Sequence, residues 1–239
     1  MSATLGDPRI AAGMRRQFEL RKQQLDAGAK QIGWKVGLGA PAALERCKLT
    51  KPVVGFLLDR AQLNSGATVS LKGWTKPVAE IEIAAYMQRD LPANADDATV
   101  RAAIGALGPA IELADLDSAM DDVEGLLARD IWQRHVILGP KDGSRAGAKL
   151  DGLTAKLVRN GNKAPVPADL EAGTGRILDT VRHVADVTAA LGDGLRAGQF
   201  IICGAITGPM FLEPGETGID YALDPVGAIS VRFSGEAGA

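Results

Sequence analysis

KPVAEIEIAAYM (Lys76–Met87) alternates with the period of a β-strand. Residues two apart share a face, so Glu80 and Glu82 stand side by side while Ala79, Ile81 and Ile83 face the opposite way. The strand runs from Pro77 to about Gln88. Two adjacent carboxylates repel each other unless solvent or a cation neutralises them. The stretch therefore reads either as the wet face of an antiparallel strand or as half of a cation site.

A third carboxylate bears on that choice. In GPAIELADLD (Gly108–Asp117), Glu112 lies between Ile111 and Leu113, in a segment apolar enough to be a central strand. Burying a carboxylate without a partner costs several kcal/mol, so Glu112 should be paired or liganded. Two carboxylates from one strand and one from another form an all-oxygen half-shell suited to Mg²⁺ or Mn²⁺, with water or substrate oxygens filling the rest. Zinc would call for His or Cys.

Upstream, IGWKVGL (Ile32–Leu38) reads as a short strand with Trp34, Val36 and Leu38 on one side and Lys35 on the other. Lys35 is either an exposed lysine on an edge strand or a proton carrier whose pKa is lowered by burial or by a nearby metal. Asp59 ends the apolar run PVVGFLLD and reads as a site carboxylate or as a turn residue. The turns GLGAPAA (Gly37–Ala43) and GAITG (Gly204–Gly208) offer backbone N–H groups to a substrate carboxylate, at Gly37, Leu38 and Thr207, or are simply turns. Neither matches a dinucleotide fingerprint or a P-loop.

Around these lie the remaining elements. Helices are expected from Pro8 to about Gln31 (capped by Asp7), as a short helix after a small-residue loop in GAPAALERCKL, from near Asp96 through DDATVRAAIGAL, over AMDDVEGLLARD, and over ILDTVRHVADVTAAL. Strands are expected at PVVGFLLD, ATVSL, RHVILG, QFIICGAI, GIDYAL and GAISVRF, and Asn160-Gly161 marks a hairpin turn. Strands outnumber helices without alternating with them, which argues for α+β over a doubly wound parallel sheet. One domain spanning 1–239 is expected, with 1–60 a helical N-terminal part carrying the first strands and 61–239 the catalytic core.

Composition narrows the function. The 27 basic and 29 acidic residues leave a net charge of −2, which gives no electrostatic footprint for nucleic acid or a membrane surface. No apolar run nears the roughly 20 residues of a membrane helix, and the N-terminus lacks a secretory pattern. The two cysteines, Cys47 and Cys203, lie in no metal-ligand spacing and read as reduced thiols of a cytoplasmic protein. With only His135 and His183 present, placed at a strand start and on a helix face, carboxylates and lysines are left to carry the chemistry.

GWKVGL, PVAEIEIAAYMQRDLP, GPAIELAD and LRAGQFIICGAITGPMFLEPGE occur in an order and spacing that resemble the 2-keto-4-pentenoate hydratase / 4-oxalocrotonate decarboxylase family of the fumarylacetoacetate hydrolase superfamily. The resemblance runs from roughly the first strand to the C-terminus. It implies a mixed β-roll of the fumarylacetoacetate hydrolase C-terminal-domain type with flanking helices, and bound Mg²⁺ or Mn²⁺. Glu80, Glu82 and Glu112 match the family's metal ligands, Lys35 its catalytic lysine, and Asp59 falls near an acidic site residue.

The implied activity is hydration of 2-hydroxypenta-2,4-dienoate-like acids from aromatic-ring breakdown. Decarboxylation of 4-oxalocrotonate-like acids comes next, then hydrolysis of an acylpyruvate, or a non-catalytic partner subunit that keeps the fold. The implied partners are a small 2-oxo acid and further copies of the chain or a related pathway enzyme. Two segments depart from the family: 128–135, with Ile131 where an amide is expected, and 170–180, where LEAGTGRILDTV replaces a loop with glycine and proline. Both help to shape the substrate pocket.

Overall fold

The structure is a computed structural model that describes residues 5–235. In chain order its elements are α1 (Pro8–Asp26), β1 (Gln31–Gly37), α2 (Pro41–Cys47), β2 (Val53–Leu58), β3 (Gln62–Leu63), β4 (Ala67–Ser70), β5 (Pro77–Met87), α3 (Asp97–Ala103), β6 (Ile104–Asp115), α4 (Val123–Ala128), β7 (Gln133–Leu138), β8 (Thr154–Arg159), β9 (Asn162–Ala164), α5 (Ile177–Ala190), β10 (Phe200–Ala205), β11 (Met210–Phe211), β12 (Gly218–Asp224) and β13 (Gly227–Ser234). They form a mixed α+β fold of two sheets flanked by few helices, as the strand-rich pattern predicts.

The larger sheet has the order β2-β1-β10-β5-β6-β7-β3, with β11 also pairing β5. The smaller has the order β4-β13-β12-β8-β9, and its β12 and β13 lie against β6. Pairing in the larger sheet is mixed: β1 runs parallel to β10 and β3 to β7, while β5 runs antiparallel to β10 and β6. The β5–β6 register sets Ile81 opposite Ile111 and Glu80 opposite Glu112. Strand alternation therefore sends Ala79, Ile81, Ile83, Ile111 and Leu113 into the main core and the glutamates to the other face.

Several boundaries differ from expectation. α1 stops at Asp26, and Gly28, at φ +90°, turns the chain so that Gln31 already belongs to β1. Asp7 does cap α1, accepting the N–H of Arg9, with Pro8 in the first turn. α3 is shorter than expected because Ile104 begins β6. α4 covers only Val123–Ala128. Leu38 does not continue the Trp34/Val36 face, since the strand ends at Gly37 and Leu38 has a φ of 58°. At the hairpin, Asn160 (φ 52°) and Gly161 (φ 76°) carry the positive angles of a type I′ turn between β8 and β9.

Candidate metal centre

Lys35 is not on an edge. β1 is flanked by β2 and β10, with Lys35 opposite Gly55 on one side and Ile202 on the other, and its side chain is buried. Ile202 in turn faces Ala84, two residues beyond Glu82 on the same face of β5. Lys35 thus reaches the face that carries the glutamates, and its Nζ donates to Glu112 Oε1 and, at 3.0 Å, to the Ile131 carbonyl.

Glu80, Glu82 and Glu112 each offer an oxygen, and the three oxygens lie within 4.8 Å of one another. Glu82 and Glu112 are buried, and Glu80 keeps part of its surface open to the cavity. The wet-face reading of the E-x-E pair is therefore excluded. Glu82 Oε2 accepts the Gly204 N–H at 2.6 Å, while Glu82 Oε1 is buried with no hydrogen-bond partner among the described residues. That N–H is aimed by an irregularity in β10, where the register shifts between Ile202 and Ala205. Gly204 takes φ +93° there, and a Cβ would lie 2.8 Å from Thr174 Cγ2. Clustered hard oxygen donors, one of them orphaned, suit a divalent cation of the Mg²⁺ or Mn²⁺ kind.

The electrostatics point the same way. Burial, followed by the charge of Glu112, pushes the Glu80 carboxyl up to about 7 against the pull of Lys35. Burial and the other two carboxylates push Glu82 well above its ordinary range. For Lys35, burial pulls downward, but the charge and hydrogen bond of Glu112, with Asp130 and Glu80 behind them, outweigh it. Burial lowers the Lys35 pKa as expected, and with no cation beside them the three acidic groups around it more than offset that effect.

A pH dependence follows. Glu80 and Glu82 hold protons in the folded metal-free state at pH values where the unfolded chain has released them. The stability contributed by these groups therefore falls as pH rises through about 7. A cation must displace those protons, so its binding strengthens over the same window. The gain in Tm produced by saturating Mg²⁺ is expected to widen from about pH 5 to about pH 8. A gain that stays constant over that range, measured by thermal unfolding, would contradict this origin.

The site opens into a cavity of about 220 Å³. Lys35, Glu80 and Glu112 form its charged end, and Gly37, Leu38 and Thr207 also line it, so the structure brings these sequence candidates together. The helix after Gly37–Ala40 adds little for an anion, because α2 has no side-chain cap and its first residue, Pro41, lacks an N–H. Both departing segments reach the cavity, through Ile131 and Trp132 and through Gly173 and Thr174.

Asp59 is not brought to the site. β2 runs antiparallel to β1, with Val53 opposite Gly37 and Leu58 opposite Gln31, so Asp59 lies at the end of the pair remote from Lys35. Its exposed carboxylate accepts the N–H groups of Lys30 (3.0 Å) and Arg60 (2.9 Å), which hold its pKa below the ordinary range. The turn reading of Asp59 describes it.

The acidic neighbour of Lys35 is instead Asp130. It is buried, its Oδ1 accepts the Phe56 N–H at 2.9 Å, and burial raises its carboxyl well above the ordinary range. Asp130, Ile131 and Trp132 all adopt left-handed angles (φ 61°, 53° and 60°), an uncommon run for residues other than glycine. This run turns the chain out of α4, placing the Ile131 carbonyl on Lys35 and the Asp130 carboxylate on β2. Gly55 leaves room for both, since a Cβ there would lie 2.8 Å from Asp130 Oδ1 and 2.9 Å from Lys35 Cγ. The only sequence signal was an aspartate between a helical apolar face and the strand-forming RHVILG.

His183 lies buried in α5 with Nε2 at 2.8 Å from the Pro52 carbonyl, and His135 sits in β7 opposite Leu113. Cys47 and Cys203 are buried and unpaired. None of the four lines the cavity. Among the described residues, no helix is long and apolar enough to cross a membrane.

No family model matches the chain. A 4-oxalocrotonate decarboxylase of Pseudomonas putida is 27% identical over 220 residues, covering 91% of this chain and 83% of that protein. A 2-hydroxyhexa-2,4-dienoate hydratase of Comamonas testosteroni is 26% identical over 216 residues, covering 87% of this chain and 80% of the hydratase. Among solved structures, the 4-oxalocrotonate decarboxylase from Pseudomonas putida G7, complexed with magnesium and adipate, superposes with a TM-score of 0.84 at 26% identity, covering 94% of this chain and 86% of that one. A fumarylpyruvate hydrolase from Pseudomonas aeruginosa, in complex with Mn²⁺ and pyruvate, superposes at 0.67 with 18% identity over 87% and 90% of the two chains, a likeness of fold. These likenesses bear out the resemblance carried by the four motifs.

Proposed function

We propose that this chain, a member of the 2-keto-4-pentenoate hydratase / 4-oxalocrotonate decarboxylase family, is a divalent-metal-dependent lyase of small 2-oxo acids. Its reaction is hydration of 2-hydroxypenta-2,4-dienoate-like acids. The observation that carries this reading is the trio Glu80, Glu82 and Glu112, with its orphaned oxygen, set beside Lys35 at the charged end of a cavity. The hydratases and the magnesium-complexed decarboxylase among the relatives support it.

A bound Mg²⁺ or Mn²⁺ supplies an electrophile for the carboxylate and 2-oxygen of a 2-oxo acid. The chain's own residues do the rest. Glu80, Glu82 and Glu112 would hold the cation, and the Gly204 N–H fixes the carboxylate of Glu82. Lys35 moves protons between substrate carbon, substrate oxygen and water, and the Ile131 carbonyl keeps its Nζ in place. Gly37, Leu38 and Thr207 position the substrate at the cavity wall. Asp130, not Asp59, is the acidic group near Lys35. The whole chain acts as one domain, which is supported by β1 and β2 pairing within the sheet that carries the glutamates. It works as a homo-oligomer or with a related enzyme, which size-exclusion chromatography with light scattering would test.

Decarboxylation is the second reading, favoured by the likeness to the Pseudomonas decarboxylases. Incubation with 2-hydroxypenta-2,4-dienoate and with 4-oxalocrotonate, following conjugated ultraviolet absorbance, separates the two. Mg²⁺-dependent loss of the dienoate signal is expected. Loss of signal with 4-oxalocrotonate alone would transfer the assignment to the decarboxylase, and loss with neither would remove both.

A further inference from the structure

Gly13 and Gln17 stand four apart in α1 and so share one helix face. The bare Gly13 lets α1 lie close against α4, since a Cβ there would lie 2.7 Å from Leu127 Cβ and 2.8 Å from the Glu124 carbonyl oxygen. One turn on, Gln17 is fully buried. Its Nε2 donates to the Leu127 carbonyl at 3.0 Å and to the Val54 carbonyl at 3.1 Å, tying the end of α4 to β2. Its Oε1 has no hydrogen-bond partner among the described residues. A buried amide satisfied at one end only is a poor stabiliser, so stability alone does not account for it.

What the amide holds is the left-handed turn beside Lys35. The Leu127 carbonyl also accepts the Asp130 N–H at 3.0 Å, and the Leu126 carbonyl accepts that of Ile131 at 2.8 Å. β2 ends the larger sheet, and side chains take up its outer edge: Gln17 on the Val54 carbonyl and Asp130 Oδ1 on the Phe56 N–H. These two anchors flank Gly55, which stands opposite Lys35 on β1. Between them they fix the turn whose Ile131 carbonyl accepts the Lys35 ammonium. Left-handed angles at three consecutive residues other than glycine persist only where the surroundings impose them. Resting on the proposed proton transfer by Lys35, we infer that Gln17 and Asp130 are positioning residues for it, jointly aiming the Ile131 carbonyl that holds its ammonium at the cavity. Neither lines the cavity, so α1 acts on the chemistry from outside the site.

The test compares Gln17→Met, Asp130→Ala and Asp130→Asn with the unaltered protein at saturating Mg²⁺. The substrate is 2-hydroxypenta-2,4-dienoate, or 4-oxalocrotonate should that be the acid turned over. A misplacement of about 1 Å can cost about 100-fold in rate, so Gln17→Met and Asp130→Ala are expected to lower kcat at least about tenfold. KM, and the Mg²⁺ affinity measured by calorimetry, should stay within about threefold of the unaltered values. Asp130→Asn keeps an oxygen for the Phe56 N–H and is expected to retain kcat within about threefold. In the Lys35→Met background, Gln17→Met should change the remaining turnover less than about twofold, because its effect passes through the absent ammonium. A general loss of folded protein would instead lower turnover in both backgrounds, and thermal unfolding with Mg²⁺ reports it. Unchanged kcat in Gln17→Met, an equal loss in both backgrounds, or a loss in Asp130→Asn as large as in Asp130→Ala would each overturn the inference and leave the proposed function standing. Should Gln17→Met not fold, the two Asp130 variants decide the matter. Absence of turnover by the unaltered protein with either acid would overturn the proposed function and the inference with it.

Discussion

Glu82→Gln is expected to abolish Mg²⁺-dependent turnover while raising the thermal stability of the metal-free protein. Glu82 is buried, and one of its oxygens has no hydrogen-bond partner among the described residues. In the metal-free state its negative charge is opposed by desolvation and by Glu112 and Glu80. Glutamine keeps the shape and keeps an oxygen for the Gly204 N–H, yet removes that charge. At about pH 8 the folded chain then has neither to hold a proton at this position nor to bear its charge, so the metal-free Tm rises. The same change removes a negatively charged ligand. Loss of residues that merely orient a metal ligand costs about 10–100-fold, so loss of a ligand should cost at least about 100-fold in kcat/KM. A folding defect would lower both activity and Tm, so the opposed signs distinguish the two causes. Full turnover by this variant would remove Glu82 from the metal centre.

Lys35→Met is expected to have the reverse signature. Methionine fills a similar volume, but it leaves Glu112 without its ammonium partner and the acidic cluster without its cation. Breaking a buried pair from one side costs about 3–5 kcal/mol. For a chain of this size that lowers the metal-free Tm by roughly 10 °C. Mg²⁺ should restore most of the loss, because a cation satisfies the same carboxylates. Metal affinity is thus retained or increased, while turnover falls by about 10²–10⁴-fold, the usual contribution of a positioned proton carrier. Calorimetric metal titration together with steady-state kinetics would measure both. A variant that binds Mg²⁺ and turns over normally would exclude Lys35 from the chemistry.

The two outcomes also explain why the site was partly legible in the sequence. Glu80 and Glu82 were readable because a strand has period two, and Glu112 because a carboxylate inside an apolar run needs a reason to be there. The side on which Lys35 stands followed from the same alternation. Its burial did not, since that depends on β10, about 165 residues later in the chain, pairing alongside β1. The carboxylates that oppose the effect of burial on its pKa arrive from β5, β6 and the segment after α4, which local spacing does not reveal. Asp130 carries only the faint signal of an aspartate between a helix and a strand, because three consecutive left-handed residues leave no mark in polarity or spacing. Asp59 misled because a carboxylate at the end of an apolar strand looks alike at either end, and only the antiparallel register shows which end the site occupies. Helix ends failed where propensity competed with pairing, as at Ile104, where β6 takes over from α3.

We propose that Glu80, Glu82 and Glu112 share one divalent cation. Crystals grown with Mn²⁺ and measured at the manganese absorption edge test it most directly. One anomalous peak is predicted, in contact with an oxygen from each of the three glutamates and open on its remaining side to the cavity. A fully occupied peak elsewhere, or none at saturating Mn²⁺, would contradict it.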